Sequence, residues 1–175
     1  TGANHSGIFT YSTNCLITDN KVNDTFLFNN IGISGSGSWY MGSGICVEGD
    51  DNLIKYNRVI NAGYNGISFS KRNTVEFNYI KNVLLTKDDG GGIYAASAGS
   101  YPNAATAGSI IRNNIVDGVF GTLEGWDTWI LRGGHGIFLD ENGGGVTIEN
   151  NIVANCTGTC VFLHKSFNET IKNNL

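Results

Sequence analysis

Two short patterns recur along these 175 residues, and their spacing leaves few folds open. The first is a Gly-Ile step leading into alternating residues. It occurs at Gly7-Ile8-Phe9, Gly44-Ile45-Cys46, Gly66-Ile67-Ser68, Gly92-Ile93-Tyr94 and Gly136-Ile137-Phe138, and Cys160-Val161-Phe162 is a copy without the glycine. The second is an aliphatic residue, then asparagine three positions on, then another aliphatic two positions later. It occurs at Ile17-Asn20-Val22, Ile54-Asn57-Val59, Val75-Asn78-Ile80, Ile111-Asn114-Val116 and Ile148-Asn151-Val153, and Ile171-Asn174 begins another copy. The tightest spacing, Gly44 to Gly66, is 22 residues. Longer spacings reflect insertions at 24–43, 84–91, 95–108 and 119–134.

The repeated segments are too short and too β-branched for helices, and they alternate with period two, as strands do. A period near 22 residues with three short strands per turn predicts an all-β chain, a right-handed parallel β-helix. About six coils are expected, starting near residues 7, 44, 66, 92, 136 and 160. Coils stack roughly 4.8 Å apart, so equivalent residues form ladders. Ile8, Ile45, Ile67, Ile93, Ile137 and Val161 make one inward aliphatic ladder, and Ile17, Ile54, Val75, Ile111, Ile148 and Ile171 make another. Asn20, Asn57, Asn78, Asn114, Asn151 and Asn174 are expected to stack at a bend, because asparagine tolerates a left-handed backbone and its amide both donates and accepts. The chain starts just before one coil's strand and stops inside another. That predicts a single β-helix segment whose ends are covered by flanking parts of the same chain or by a partner.

Composition agrees. Twenty-five glycines, one proline and 23 asparagines make the chain rich in turns, while 41% apolar content argues against general disorder. A net charge of −4 with no basic run argues against a nucleic-acid partner. No run of about 18 apolar residues predicts membrane insertion. Cys156 and Cys160 are spaced to pair across a turn or to remain free thiols. Glu48, Asp50 and Asp51 offer oxygen ligands of the kind calcium takes, or form a charged turn.

The ladders also order the outward residues. Phe138 shares a column with Phe9, Cys46, Ser68, Tyr94 and Phe162, and Asp140 shares one with Tyr11, Glu48, Ser70, Ala96 and His164. Asp140 and His164 are therefore expected about 5 Å apart on adjacent coils, close enough to hydrogen-bond. Glu141 should turn away. A second acidic pair, Asp88-Asp89, precedes Gly92 one coil earlier, and Asp89 is expected to approach Asp140 across a cleft. Two facing carboxylates are the minimum for glycoside hydrolysis: one protonates the leaving oxygen while the other attacks or positions water. Tyr94, His135 and His164 are candidate substrate contacts. So are Trp126, Trp129 and Arg132 of the 119–134 insertion, because aromatic rings stack on sugar faces.

The segments "DGGGIY" at 89–94, "IRNNIV" at 111–116, "GIFLDE" at 136–141 and "FLHK" at 162–165 resemble the β-helix polysaccharidases, especially glycoside hydrolase family 141. The resemblance is closest over 88–175. It implies action on complex polysaccharides and a secreted or cell-surface location. It puts Asp89 and Asp140 in the place of the catalytic carboxylates and His164 in that of a pocket histidine. No Lys/Arg pair is placed like the base and acid of β-helix lyases, which argues against lyase chemistry. The competing expectation is a non-catalytic rod in an extracellular appendage, phage fibre or adhesin.

Overall fold

The computed structural model describes residues 3–28, 41–97, 103–122 and 133–175. The chain winds in coils of three strands. The first coil holds β1 (Ile8–Thr10), β2 (Leu16–Thr18) and β3 (Lys21–Thr25). The second holds β4 (Ile45–Val47), β5 (Asn52–Lys55) and β6 (Arg58–Ala62). The third holds β7 (Ile67–Phe69), β8 (Asn73–Glu76) and β9 (Tyr79–Val83), and the fourth β10 (Gly90–Ala95), β11 (Ile110–Arg112) and β12 (Ile115–Val119). The fifth holds β13 (Gly134–Leu139), β14 (Thr147–Glu149) and β15 (Ile152–Cys156), and β16 (Val161–Leu163) and β17 (Thr170–Lys172) belong to the sixth. Each strand pairs in parallel with its counterpart one coil on. The described residues thus form three sheets: β1-β4-β7-β10-β13-β16, β2-β5-β8-β11-β14-β17 and β3-β6-β9-β12-β15.

The register follows the expected ladders. Ile8, Ile45, Ile67, Ile93, Ile137 and Val161 align through the first sheet. Ile17, Ile54, Val75, Ile111, Ile148 and Ile171 align through the second. A third ladder, Val22-Val59-Ile80-Val116-Val153, closes the core. Burying each such side chain contributes about 1.5–3 kcal/mol. The glycine of each Gly-Ile step has a steric cause. A Cβ on Gly7, Gly44, Gly66, Gly92 or Gly136 would overlap Val22, Val59, Ile80, Val116 or Val153 of the third ladder.

The asparagine ladder is continuous. Nδ2 of Asn20, Asn57, Asn78, Asn114 and Asn151 each donates to Oδ1 of the next coil's asparagine at 2.9–3.0 Å. One expectation about it is corrected. The left-handed residue is not the ladder asparagine but the one before it: Asp19, Tyr56, Phe77, Asn113, Asn150 and Asn173 have φ between 54° and 56°. The preceding residue turns the chain, which aims the asparagine amide along the stack. A shorter array was not anticipated. Asn52 Oδ1 accepts from Cys15 N–H, Asn73 Oδ1 from Asn52 N–H, and Ser109 Oγ from Asn73 N–H.

Candidate functional site

The site lies on the outward face of the first sheet, across coils four to six. Tyr94, Phe138 and Phe162 occupy equivalent positions on β10, β13 and β16. Stacking brings their rings together: Tyr94 meets Phe138 edge-on at 5.3 Å, and Phe138 lies 4.9 Å from Phe162. A cavity of about 280 Å³ opens over the last two rings. Its lining includes Asp89, His135, Phe138, Phe162 and His164.

Asp140 and His164 meet as their shared column predicts. His164 Nδ1 lies 2.8 Å from Asp140 Oδ1. The carboxylate accepts two further bonds, from the Glu141 backbone N–H to Oδ1 and from the Tyr94 hydroxyl to Oδ2, both at 2.8 Å. His164 also lies parallel to Phe162, with ring centroids 6.0 Å apart. Burial pushes the Tyr94 phenol well above its ordinary value, and the neighbouring charges of Asp140 and Asp89 push the same way.

His135 is held from the other side. The Thr159 backbone N–H donates to His135 Nδ1 at 3.1 Å, and Thr159 Oγ1 sits 3.0 Å from the same nitrogen. An Nδ1 that accepts an amide proton carries none itself, so the neutral ring holds its proton on Nε2. Burial pulls the His135 value down, against the opposing charges of Asp88 and Asp140. The ring packs 4.4 Å from Phe162 and 5.0 Å from Phe138.

Asp89 is a buried left-handed residue (φ 54°) just before β10, and its carbonyl accepts from Tyr64 OH at 3.0 Å. It lines the cavity with His135 and His164. Asp140 and Tyr94 are not among its lining residues; Tyr94 is only 4% exposed, while the Asp140 side chain is partly open. Glu141 turns outward and pairs with Lys165. Trp126, Trp129 and Arg132 lie outside the described residues. Phe138, Phe162 and Thr159 are site residues that sequence reasoning did not single out. The outward apolar column was the signal for the two phenylalanines; nothing local marked Thr159.

The remaining expectations sit elsewhere. Asp51 is held by Arg72 at 2.6 and 2.8 Å, Asp50 by Lys71 at 3.6 Å, and Glu48 accepts from Ser70 Oγ at 2.8 Å. Among the described residues no group of three or more His, Cys, Asp and Glu side chains is arranged to hold a metal. The four cysteines are free thiols, and burial pushes the Cys156 thiol up to about 12, with Cys160 beside it.

The family profile of the right-handed β-helix region matches residues 6–175. The chain belongs to that family. No curated protein and no solved structure matches it. Family membership accounts for the coil and its ladders. Among the described residues no helix is long and apolar enough to cross a membrane.

Proposed function

We propose that this face of the β-helix hydrolyses a glycosidic bond of a polysaccharide, as the likeness to glycoside hydrolase family 141 implies. The observation that best supports the reading is the composition of one cavity: Asp89, His135 and His164 around a floor of Phe138 and Phe162. Aromatic faces suit the apolar face of a sugar ring. The His135 Nε2–H suits a sugar hydroxyl or ring oxygen. Proton-transfer groups at the edge of such a floor suit acid–base attack on an acetal carbon.

In this reading the two carboxylates have different reach. Asp89 meets the substrate directly and protonates the leaving oxygen, whereas Asp140 acts through the side chains it touches. Asp89 precedes the start of β10 and Asp140 follows the end of β13, so the acids stand at opposite ends of one strand pair. In this reading they do not act as the close nucleophilic pair of a retaining enzyme. A polymeric substrate places the enzyme outside the cell or at its surface, where such chains are met.

The test is release of reducing ends from a panel of plant and microbial polysaccharides. Hydrolysis of at least one glycan is expected, with Asp89→Asn and Asp140→Asn each losing about 100-fold or more in kcat. Undiminished hydrolysis in both variants moves the chemistry away from this cavity. No hydrolysis of any glycan favours the non-catalytic rod.

A further inference from the structure

The arrangement around Asp140 differs from that of a free catalytic carboxylate. Oδ1 is engaged by His164 Nδ1 and the Glu141 N–H, and Oδ2 by the Tyr94 hydroxyl. Asp140 is not among the residues that line the cavity, and His164 is. An ionised carboxylate only accepts, so Nδ1–H donates the hydrogen bond to Asp140 and keeps its proton, which leaves Nε2 as the lone-pair nitrogen of the neutral ring. The Asp140 bond holds the imidazole, whose plane lies parallel to the Phe162 ring. The order Tyr94, Asp140, His164, cavity is therefore a chain of contacts that ends in a base.

We infer that His164 Nε2 is the general base that activates water in this cavity, and that Asp140 is its positioning residue rather than a nucleophile. The inference rests on the glycosidase reading and deepens it, because it specifies a one-step displacement with inversion at the anomeric carbon. His164 takes a proton from water as the water oxygen bonds to that carbon. The bond to the leaving oxygen breaks, and the Asp89 carboxyl group gives that oxygen its proton. The products are two hydroxyl-terminated sugars. The imidazolium loses its proton to solvent and Asp89 regains one, so the cycle closes without a cofactor.

Three groups bear on His164 besides Asp140. Asp89 and His135 share its cavity, and Lys165, the next residue, is paired with Glu141. The Lys165–Glu141 pair is exposed on both sides and leaves Asp140 as the carboxylate in direct contact with the ring.

The stereochemistry of the first turnover, followed by proton NMR on a glycan the chain hydrolyses, is the deciding measurement. The inverted anomer is expected. A retained anomer, with a glycosyl group trapped on Asp140, overturns the role given to His164 while the glycosidase reading stands. His164→Gln should lower kcat by about 100-fold or more with KM little changed. Full activity in that variant also overturns the role. A spectroscopic arm is independent of turnover. Nitrogen-15 NMR should show His164 as the Nδ1–H tautomer in the wild-type chain, and Asp140→Ala should move it toward Nε2–H. An Nε2–H tautomer in the wild type overturns the inference directly. A chain inert on every glycan overturns the glycosidase reading and this role together.

Discussion

Tyr94 and Asp140, one coil apart, are joined by a 2.8 Å hydrogen bond from a buried hydroxyl to a carboxylate at the edge of the site. Tyr94→Phe keeps the ring against Phe138 and removes only the donor. Water at the edge of the site can replace part of the lost bond, so unfolding free energy should fall by about 1 kcal/mol. Urea denaturation checks this, with the midpoint lowered and the slope unchanged. Glu141→Ala is the control. Its pair with Lys165 is exposed, and the change should stay within about 0.5 kcal/mol.

His135 sets a pH dependence of stability. Its folded value lies below the ordinary histidine value of 6.5, so folding favours the neutral ring. The stabilising contribution is therefore complete above about pH 6.5 and is lost as pH falls through the lowered folded value. Urea midpoints of the wild type should drop as pH falls below about 6.5, and His135→Gln should flatten that drop. Equal drops in both proteins would place the acid sensitivity elsewhere.

Asn114 sits in the middle of the asparagine ladder. Its Nδ2 donates to Val75 O, Arg112 O and Asn151 Oδ1, and its Oδ1 accepts from Asn78 N–H and Asn78 Nδ2. Asn114→Ala leaves several buried groups without partners, at about 1–3 kcal/mol for each. A loss of about 3 kcal/mol or more is expected in chemical denaturation. Asn20→Ala, at a part-buried position of the same ladder, should cost less.

Gly92 tests the steric account of the Gly-Ile step. Its φ is not left-handed, so the constraint is space alone: an added Cβ would overlap Val116 and crowd the Gly136 carbonyl. Gly92→Ala should destabilise by about 1–3 kcal/mol. Val116→Ala on the same background should recover part of the loss. A double variant no more stable than Gly92→Ala would locate the conflict in the backbone contact.

The coil was readable from sequence because its determinants are local and repeated. A glycine that faces a third-ladder aliphatic, an inward isoleucine and a ladder asparagine return in each of the first five coils, and one period fixes the register of all three sheets. The left-handed bend was assigned one residue late. Asp19, Tyr56 and Phe77 occupy it alongside Asn113, Asn150 and Asn173, so residue type does not mark the position. At the site, column counting placed His164 against Asp140, since adjacent coils differ only by the strand spacing. It did not show that His164 lines the cavity while Asp140 does not. That order depends on how side chains leave the strand end, where Asn142 is left-handed (φ 61°), and no periodic pattern extends there.

The asparagine ladder has one more consequence, which concerns direction. Along a sheet, amide and carbonyl groups face both neighbouring coils and their dipoles largely cancel. In the ladder, Nδ2 of each asparagine from Asn20 to Asn151 donates to Oδ1 of the next coil's asparagine, so every side-chain to side-chain bond of the stack runs the same way. Such bonds polarise one another in sequence. The stack therefore has a head and a tail, like a column of aligned magnets. Another coil or a second rod can continue the column only head to tail, because reversing it sets donor against donor.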